Sequence, residues 1–181
     1  EDHFDRYASL DEYGAAKARV FMGAGVQVLN RDDERSLAMA LRGKKVVTFG
    51  LDAPRGDDYG VSGGALVRGK TKILPVAELP IHGTHNVANA LAACALVSTL
   101  DIPLTGLRTF KGLPHRLELV AIRRGVEWYD DSKGTNVGAT VAALRGLGKK
   151  AVLILGGEGK GQDFAPLREP VARFAVKVLL I

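Results

Sequence analysis

The segment YDDSKGTNVGAT combines groups that bind anions and hydroxyls, and it separates an apolar strand-like run from a helix-like run. Asp130 and Asp131 end the predicted strand, and Thr135 or Asn136 can cap the helix that follows. The free N–H groups of a helix start, together with the charge of Lys133, favour a phosphate or a carboxylate. The two acids could bind ribose hydroxyls or a metal ion. The alternative is an ordinary turn with a capping side chain and a solvated Asp–Lys pair.

A second glycine-rich segment, GGEGKGQDF, follows the next predicted strand. Ligands of open α/β sheets bind outside the carboxyl ends of the strands, so Lys160 would lie near the first segment if the two strands are neighbours. Gly134 in the first segment would let the backbone come close to a ligand. The match of GGEGKGQDF to a phosphate-binding loop is weak, because neither Ser nor Thr follows the lysine. A flexible glycine-rich turn explains this segment equally well.

Two further groups of polar residues have spacings that suit a nucleotide. Asn86 and Asn89 lie three residues apart at a predicted helix start, so they share a face and could contact adenine or a metal-bound phosphate. The alternative role there is capping of the helix by Thr84 or Asn86. Arg116, in the hinge-like segment LPHRLE, could bind a phosphate across a cleft between domains. Without context, an exposed linker arginine is the favoured interpretation.

The first 17 residues contain candidate metal ligands and one lysine of interest. Asp2, His3 and Asp5 offer oxygen and imidazole donors to a hard divalent cation, although a polar loop is the favoured interpretation. Lys17 lies in a predicted helix beside two alanines, which permit close approach of neighbouring groups. Periodicity alone favours an ordinary solvent-facing lysine.

The elements that must position these residues follow from apolar periodicity and from capping signals. Ser9 and Glu12 form a capping box at the start of the first helix. The pattern predicts a helix at 9–25, a strand at 26–30, a helix from Asp32 or Asp33 to Gly43, a strand at 45–50, an antiparallel hairpin or meander at 59–76, a helix at 84–100 and a short helix after 103.

After a Gly/Pro-rich break near FKGLPHR, the pattern begins again. It predicts strands at 117–122 and 126–130 around a turn at Gly125, a helix at 136–147, a strand at 151–157, a helix at 164–174 that Pro170 interrupts, and a strand at 176–181. Strands that alternate with helices indicate βαβ units and a parallel sheet. The sequence therefore predicts an α/β protein with a domain boundary near residue 111.

Composition excludes several classes of protein. The 181 residues are 46% hydrophobic and 25% charged, as in ordinary soluble proteins, and 25 basic against 20 acidic residues give a net charge of +5. This excess suits an anionic small molecule and is too dispersed to indicate nucleic acid. Cys94 lies in an apolar run and predicts neither a disulfide nor a thiolate metal site. No membrane helix or signal peptide is predicted, so we expect a cytoplasmic location.

Taken together, these motifs resemble the Mur ligases, ATP-dependent enzymes of peptidoglycan synthesis. The resembling segments are EDHFDRY with AAK ten residues on, HNVANALAACAL, GLPHRLELV, DSKGTNVGAT and LGGEGKGQDF. Their order along the chain is that of the family, and DSK-x-TN after the hinge favours the D-glutamate-adding branch. The resemblance implies that residues 1–111 are the later part of a central P-loop-type ATPase domain with a small antiparallel sheet. It implies that residues 112–181 begin a C-terminal dinucleotide-fold, Rossmann-like domain.

The resemblance also implies an activity. ATP would phosphorylate the carboxylate of UDP-N-acetylmuramoyl-L-alanine, and the amine of D-glutamate would displace phosphate from the acyl phosphate. This reaction serves cell-wall formation, and with it cell shape and division. A carboxylate and a triphosphate repel each other, so one or two magnesium ions and protein cations must neutralise them.

Residue roles follow from the same resemblance. Lys17 matches a carbamylated lysine and His3 matches the histidine associated with the second magnesium ion. The residues matching ATP-binding positions are Asn86, Asn89, Arg116 and Asp131. The residues matching positions around D-glutamate are Lys133, Thr135 and Lys160.

The sequence departs from the family pattern in two respects, and three other interpretations of its function are open. A G-x-x-G-K-[ST] loop and a UDP-binding domain are missing from the 181 residues, so we expect a fragment that does not turn over ATP alone, from a monomeric enzyme. Other Mur or folylpolyglutamate-type ligases are the related alternatives. A non-catalytic nucleotide-binding module is a third hypothesis, although no G-x-G-x-x-G follows a strand. An inert interaction domain with this fold is a fourth.

Overall fold

The computed structural model describes residues 6–100 and 102–181, which divide into two compact units. The division falls between Phe110 and Lys111. Each unit combines helices with a sheet that contains parallel strands, so the predicted α/β class is confirmed. The assignment of the units to a central and a C-terminal domain stays a prediction.

The first unit is built on a five-stranded mixed sheet in the order β1-β2-β3-β4-β5. Its strands are β1 (Gln27–Asn30), β2 (Val46–Phe49), β3 (Tyr59–Ser62), β4 (Ala65–Arg68) and β5 (Thr71–Pro75). The first three run parallel, and β3 to β5 form the predicted antiparallel meander. Gly63 and Gly64 both have positive φ in the β3–β4 turn, a backbone that favours glycine.

Helix α3 (Thr84–Leu96) supplies the main core of this unit. Its buried residues Leu91 and Cys94 pack with Leu66 and Leu74 of the sheet. Alanines along the same helix allow it to approach the strands closely. Together with the buried leucine and cysteine they make this run almost continuously apolar in the sequence. The prediction of a helix here is confirmed, although its last turn at Val97–Thr99 is 3₁₀.

The first helix also follows its prediction. Helix α1 (Leu10–Ala18) begins at Ser9, whose hydroxyl accepts the N–H of Glu12, while the Glu12 carboxylate accepts the N–H of Ala8. A 3₁₀ turn at Arg19–Met22 continues it to Gly23. The capping box seen in the sequence therefore sets where this helix begins.

Helix α2 (Glu34–Ala38) is shorter than predicted. Asp33 caps it, as one of the two predicted choices, but it ends well before Gly43. The cause is the buried amide of Gln27, which donates to the carbonyl of Met39 and accepts the N–H of Leu41. The Gln27 side chain on β1 thus provides hydrogen-bond partners for backbone groups of Met39 and Leu41. These groups do not need partners within a longer helix.

The second unit begins with a hairpin of β6 (Glu118–Arg123) and β7 (Val126–Asp130). It continues through α4 (Val137–Leu147), β8 (Ala151–Leu155), α5 (Arg168–Phe174) and β9 (Ala175–Leu180), and β8 pairs with β9 in parallel. Pro170 lies buried in the first turn of α5 and does not interrupt the helix, because the first-turn N–H has no helical partner to lose.

The condition for placing the two glycine-rich segments side by side, that β7 and β8 are neighbours, is not met. Among residues 6–100 and 102–181, β7 pairs with β6 and β8 pairs with β9, and no β7–β8 pairing occurs. The tight turn at Arg124 and Gly125, both with positive φ, folds β7 back onto β6. No helix in the described part of the chain is long and apolar enough to cross a membrane.

Candidate functional site

The loop that links β7 to α4 is joined to the hinge segment by two hydrogen bonds that backbone N–H groups donate. Lys133 N–H donates to the carbonyl of His115 at 3.1 Å. Leu117 N–H donates to Oδ1 of Asp131 at 2.9 Å. The two bonds cross between the segments that carry Arg116 and the Asp-Lys pair. The sequence segments LPHRLE and DDSKGTN therefore form one local structure.

The candidate side chains in this local structure differ in exposure. Arg116, Lys133 and Thr135 are exposed, whereas Asp131 is half-buried. Within the described part of the chain, the Arg116 and Lys133 side chains have no ion pair, so both cations are available to an anionic ligand. Thr135 does not cap α4, because Asn136 occupies the cap and accepts the N–H of Ala139.

Gly134 is required by its own loop. A Cβ at this position would lie 2.7 Å from Oδ2 and 3.0 Å from the carbonyl oxygen of Asp131. The Gly134 N–H also donates to that carbonyl at 2.7 Å. The sequence suggested that this glycine serves the approach of a ligand, but the atoms it accommodates here belong to Asp131.

Lys160 is connected to the same region by a residue that the sequence analysis did not single out. Gln162 Oε1 accepts the N–H of Val137 in the first turn of α4, at 2.9 Å. Lys160 is exposed and has φ of +47°, beside Gly161 at +67°. The loop that carries Lys160 is therefore bonded to the helix that follows Lys133, although β7 and β8 are not neighbours.

Asn86 and Asn89 share a face of α3, as their spacing predicts. The Asn89 amide donates to Oδ1 of Asn86 at 3.3 Å, and the Asn86 amide donates to the carbonyl of His82 at 2.7 Å. Neither Thr84 nor Asn86 caps the helix, which begins after Gly83 with φ of +96°. The alternative capping role is therefore wrong, and Asn89 keeps an exposed amide.

Lys17 lies in the last turn of α1 and is exposed. Its ammonium sits 5.1 Å from the centroid of the Tyr13 ring, which in turn packs edge-on against Tyr7. A cation over an aromatic face is held by the ring quadrupole. The predicted metal residue His3, with its neighbours Asp2 and Asp5, lies outside the described residues.

Residues 64–71 match the phosphate-binding motif G-x-x-x-x-G-K-T by residue type, and they were not among the candidate sites predicted from the sequence. The structure assigns this segment to β4 and to the turn before β5. A phosphate-binding loop joins a strand to a helix and leaves its N–H groups free. Here Gly69 N–H donates to the carbonyl of Asp58, and the segment is part of an antiparallel ladder. The match has no nucleotide-binding meaning.

A cluster of metal-ligand type lies at the base of the β6–β7 hairpin. His115 Nδ1 is 2.7 Å from Oδ2 of Asp130, and Oε2 of Glu118 accepts the His115 N–H at 2.9 Å. The three ligand-type atoms lie within 4.8 Å of one another. The hydrogen bond from His115, and a second one from the Ser132 N–H, lower the pKa of Asp130 to about 2, so its carboxylate stays ionised near neutral pH.

A cleft in the described part of the first unit contains none of the candidate residues. It measures about 270 Å³ and is lined by both charges, among them Lys45, Arg55 and Asp58. These residues precede or begin β2 and β3, so the cleft lies at the amino ends of the parallel strands. Ligands of open α/β sheets bind at the opposite, carboxyl ends.

Residues 1–97 match the Mur ligase middle domain, which is more than half of the chain. The match includes the Lys17 helix and the Asn86–Asn89 helix described above. The chain therefore belongs to the Mur ligase family, and the resemblance drawn from its motifs is confirmed.

Among curated proteins, this chain is similar to ligases that are named for D-glutamate. The UDP-N-acetylmuramoylalanine–D-glutamate ligase of Thiobacillus denitrificans is 58% identical over 187 residues, covering 100% of this chain and 40% of the relative. The enzyme of the same name from Methylobacillus flagellatus is 59% identical over 189 residues, covering 99% and 42%. The chain thus spans about two fifths of the length of these relatives.

Solved structures confirm the fold. The crystal structure of the UDP-N-acetylmuramate-alanine ligase from Thermotoga maritima matches with a TM-score of 0.70 at 20% identity. The match covers 99% of this chain and 43% of that one. At this level of identity the likeness concerns the fold alone.

Proposed function

We propose that this chain is part of an ATP-dependent ligase that joins D-glutamate to UDP-N-acetylmuramoyl-L-alanine in peptidoglycan precursor synthesis. The observation that carries the proposal is 58% identity across the whole chain to a relative named for that activity. This activity would belong to the intact protein, of which this chain would supply part of the binding and catalytic machinery.

The reaction proposed has two chemical steps. A carboxylate oxygen of the UDP-sugar substrate attacks the γ-phosphorus of ATP, forming an acyl phosphate and releasing ADP. The amine of D-glutamate then attacks the acyl carbon, and the tetrahedral intermediate collapses to an amide with release of phosphate and a proton. All of the reactants are anions, so the protein must supply cations and N–H donors.

D-glutamate would be held by Lys133, Thr135 and Lys160. It brings two carboxylates, and the two exposed lysines lie on loops that hydrogen bonds connect to the start of α4 and to the hinge. Each ammonium can bind one carboxylate as a point charge. The hydroxyl of Thr135 is exposed and does not cap the helix, so it can donate to the same ligand.

ATP would be contacted by Arg116, Asp131, Asn86 and Asn89. The Arg116 guanidinium offers a planar set of donors to a phosphate, and Asp131 offers a carboxylate oxygen to ribose hydroxyls. The amide of Asn89 is exposed and can donate to the adenine edge. Its position is fixed by the hydrogen bond to Asn86, which is itself bonded to the carbonyl of His82.

Magnesium would supply Lewis-acid neutralisation of the triphosphate when bound. Lys17 is exposed at the end of α1, which allows carbon dioxide to reach its amine. Carbamylation would replace a cation by an anion and so provide an oxygen ligand of the kind magnesium prefers. We assign the companion ligand to His3. We therefore propose that a second magnesium ion binds the Lys17 carbamate and His3.

The direct test measures phosphate release by the intact protein with ATP, UDP-N-acetylmuramoyl-L-alanine and each of several amino acids. We expect release that depends on D-glutamate, with L-glutamate, L-alanine and glycine near background. Turnover with a different amino acid, or with a folate substrate, would contradict this assignment and favour another ligase of the family.

Lys160→Ala tests the placement of D-glutamate. Loss of one cation from a carboxylate site should raise KM for D-glutamate about tenfold, with KM for ATP nearly unchanged. Lys150→Ala is the control, because Lys150 is exposed and its ammonium donates to the carbonyl of Arg173, away from the proposed D-glutamate site. A change confined to KM for ATP would show that Lys160 serves the nucleotide instead.

A further inference from the structure

The backbone around Arg116 is held in an unusual conformation. His115 has φ of +64° and Leu117 has φ of +48°, so left-handed residues flank the arginine on both sides. Non-glycine residues in this region are strained and persist only where surrounding contacts enforce them. The contacts that enforce this conformation determine where Arg116 points.

Four hydrogen bonds provide this enforcement, and three of them involve His115. Its ring Nδ1 pairs with Oδ2 of Asp130 at 2.7 Å, its N–H donates to Glu118 at 2.9 Å, and its carbonyl accepts the Lys133 N–H at 3.1 Å. The fourth bond joins the Leu117 N–H to Asp131. We call the two segments that these bonds join, 115–118 and 130–133, the hinge clamp.

The Asp130 carboxylate is fixed from both sides. Its Oδ1 accepts the N–H of Ser132 at 2.9 Å, while its Oδ2 faces the His115 ring. Asp130 is also the cross-strand partner of Glu118 at the base of the hairpin. The anchor for the His115 ring is therefore part of the β6–β7 ladder, and its position does not depend on a flexible side chain alone.

We propose that His115 is a positioning residue, which through Asp130 fixes Arg116 and the Asp131–Thr135 loop relative to each other. This inference rests on the proposed function, because it concerns how those residues meet ATP and D-glutamate. Arg116 lies in one segment of the hinge clamp and Lys133 in the other, and the His115 ring joins the two segments through Asp130.

A metal ion held by His115, Glu118 and Asp130 is the competing interpretation of the same atoms. Ligands of one zinc ion lie about 2.0–2.2 Å from the metal, which separates two of them by roughly 3.3 Å in tetrahedral geometry. The 2.7 Å between His115 Nδ1 and Asp130 Oδ2 is shorter than that and suits a shared proton. The geometry therefore favours the hydrogen-bonded clamp.

The test compares two variants in the intact protein. Asp130→Ala removes the ring partner without touching a left-handed residue, and His115→Ala removes the ring. We expect each variant to raise KM for ATP and for D-glutamate by about 5- to 20-fold, with kcat within about threefold and KM for the UDP-sugar unchanged. Because the pair acts as a unit, the double variant should be no worse than the worse single variant.

His115→Asn separates positioning from mere folding. The asparagine amide reaches about as far as Nδ1, can donate to Asp130 and tolerates positive φ, so it should restore both KM values to within about twofold. The control is Lys149→Ala, which breaks the exposed ion pair, at 2.8 Å, that Lys149 makes with Glu127 on β7 of the same hairpin. We expect the control to behave as the unsubstituted protein.

The outcomes distinguish this inference from the proposed function. An unsubstituted protein with no D-glutamate-dependent turnover overturns the proposed function itself. An active protein whose two KM values are unchanged in both His115→Ala and Asp130→Ala overturns the positioning role. One equivalent of bound transition metal that is lost in Asp130→Ala, measured by elemental analysis, overturns the clamp in favour of the metal site.

Discussion

At the scale of single residues, Lys17 carries the most demanding part of the proposal, because a carbamate must convert a cation into a metal ligand. In the intact protein, Lys17→Ala should lower ligase activity by about 100-fold or more, since an anion that holds magnesium is lost. A small carboxylate such as acetate should restore part of that activity by supplying the missing oxygen. Phosphate release with and without acetate measures both effects.

Lys70→Ala is the matched control for this prediction. Lys70 stands in the turn between β4 and β5, within the segment that matches a phosphate-binding motif by letters only. We expect its activity and its KM for ATP to stay within about twofold of the unsubstituted protein. Unchanged activity in Lys17→Ala would rule out the carbamate role.

Cys94 has no proposed part in the chemistry, and burial raises the pKa of its thiol from 9.0 to about 11. Only 1% of the residue is exposed, so the native chain should react with a disulfide reagent at pH 8 far more slowly than the unfolded chain. As the only cysteine, it gives an unambiguous absorbance readout. Equal rates with and without denaturant would contradict the packing described for α3.

The same thiol gives a pH prediction. Its folded pKa lies above the unfolded value, so its contribution to the free energy of unfolding is fully present below pH 9. That contribution is lost as the pH rises through about 11. The free energy of unfolding should fall less over this range in Cys94→Ala than in the parent chain, when both are measured by urea titration.

At the scale of elements, the loop of residues 156–164 depends on Gln162 for its connection to α4. Gln162→Ala frees the Val137 N–H, which should loosen the loop that carries Lys160. Loss of one hydrogen bond predicts a rise of about 3- to 10-fold in KM for D-glutamate, with kcat within about twofold. Steady-state kinetics of the intact protein provide the measurement.

Arg145→Ala is the control for this element, since it breaks the exposed Arg145–Glu169 ion pair between α4 and α5. Exposed pairs of this kind contribute little, so KM for D-glutamate should not change. If Gln162→Ala also left KM unchanged, the loop would be held by other contacts, and its connection to α4 would have no role in binding.

The elements show where sequence reasoning succeeds and where it fails. Ser9 and Glu12 lie three residues apart and fix the start of α1 by local bonds alone, so the prediction there is confirmed. The end of α2 is decided by Gln27, which lies in a different strand. No pattern within residues 32–43 contains that information, so the predicted end at Gly43 is wrong.

At the scale of the whole molecule, the buried apolar side chains are unevenly divided between the two units. The first unit buries a contiguous group on α3 and the sheet, including Leu66, Leu91 and Cys94, whereas the buried apolar residues described in the second unit are few and include Val137 and Leu144. Slow hydrogen exchange requires opening of well-packed structure. The two units should therefore differ in protection.

Hydrogen exchange of the 181-residue chain, followed by mass spectrometry, measures this difference. We expect peptides from α3 and β4 to exchange more slowly than peptides from α4 and β8. The exposure of the apolar residues Ile154 on β8 and Val176 on β9 supports the same expectation, because strands with little cover open easily. Equal protection in both units would contradict this distribution of cores.

The sequence by itself determined the elements, the α/β class and the family, because local periodicity, caps and ordered motifs are written in consecutive residues. It also placed Asn86 and Asn89 on one face, since helical spacing alone sets that relation. Only the tertiary structure decided that Gln162 ties the Lys160 loop to α4 and that His115 pairs with Asp130. These two contacts join residues 25 and 15 positions apart, and the chain path that brings them together depends on turns and packing that no short segment specifies.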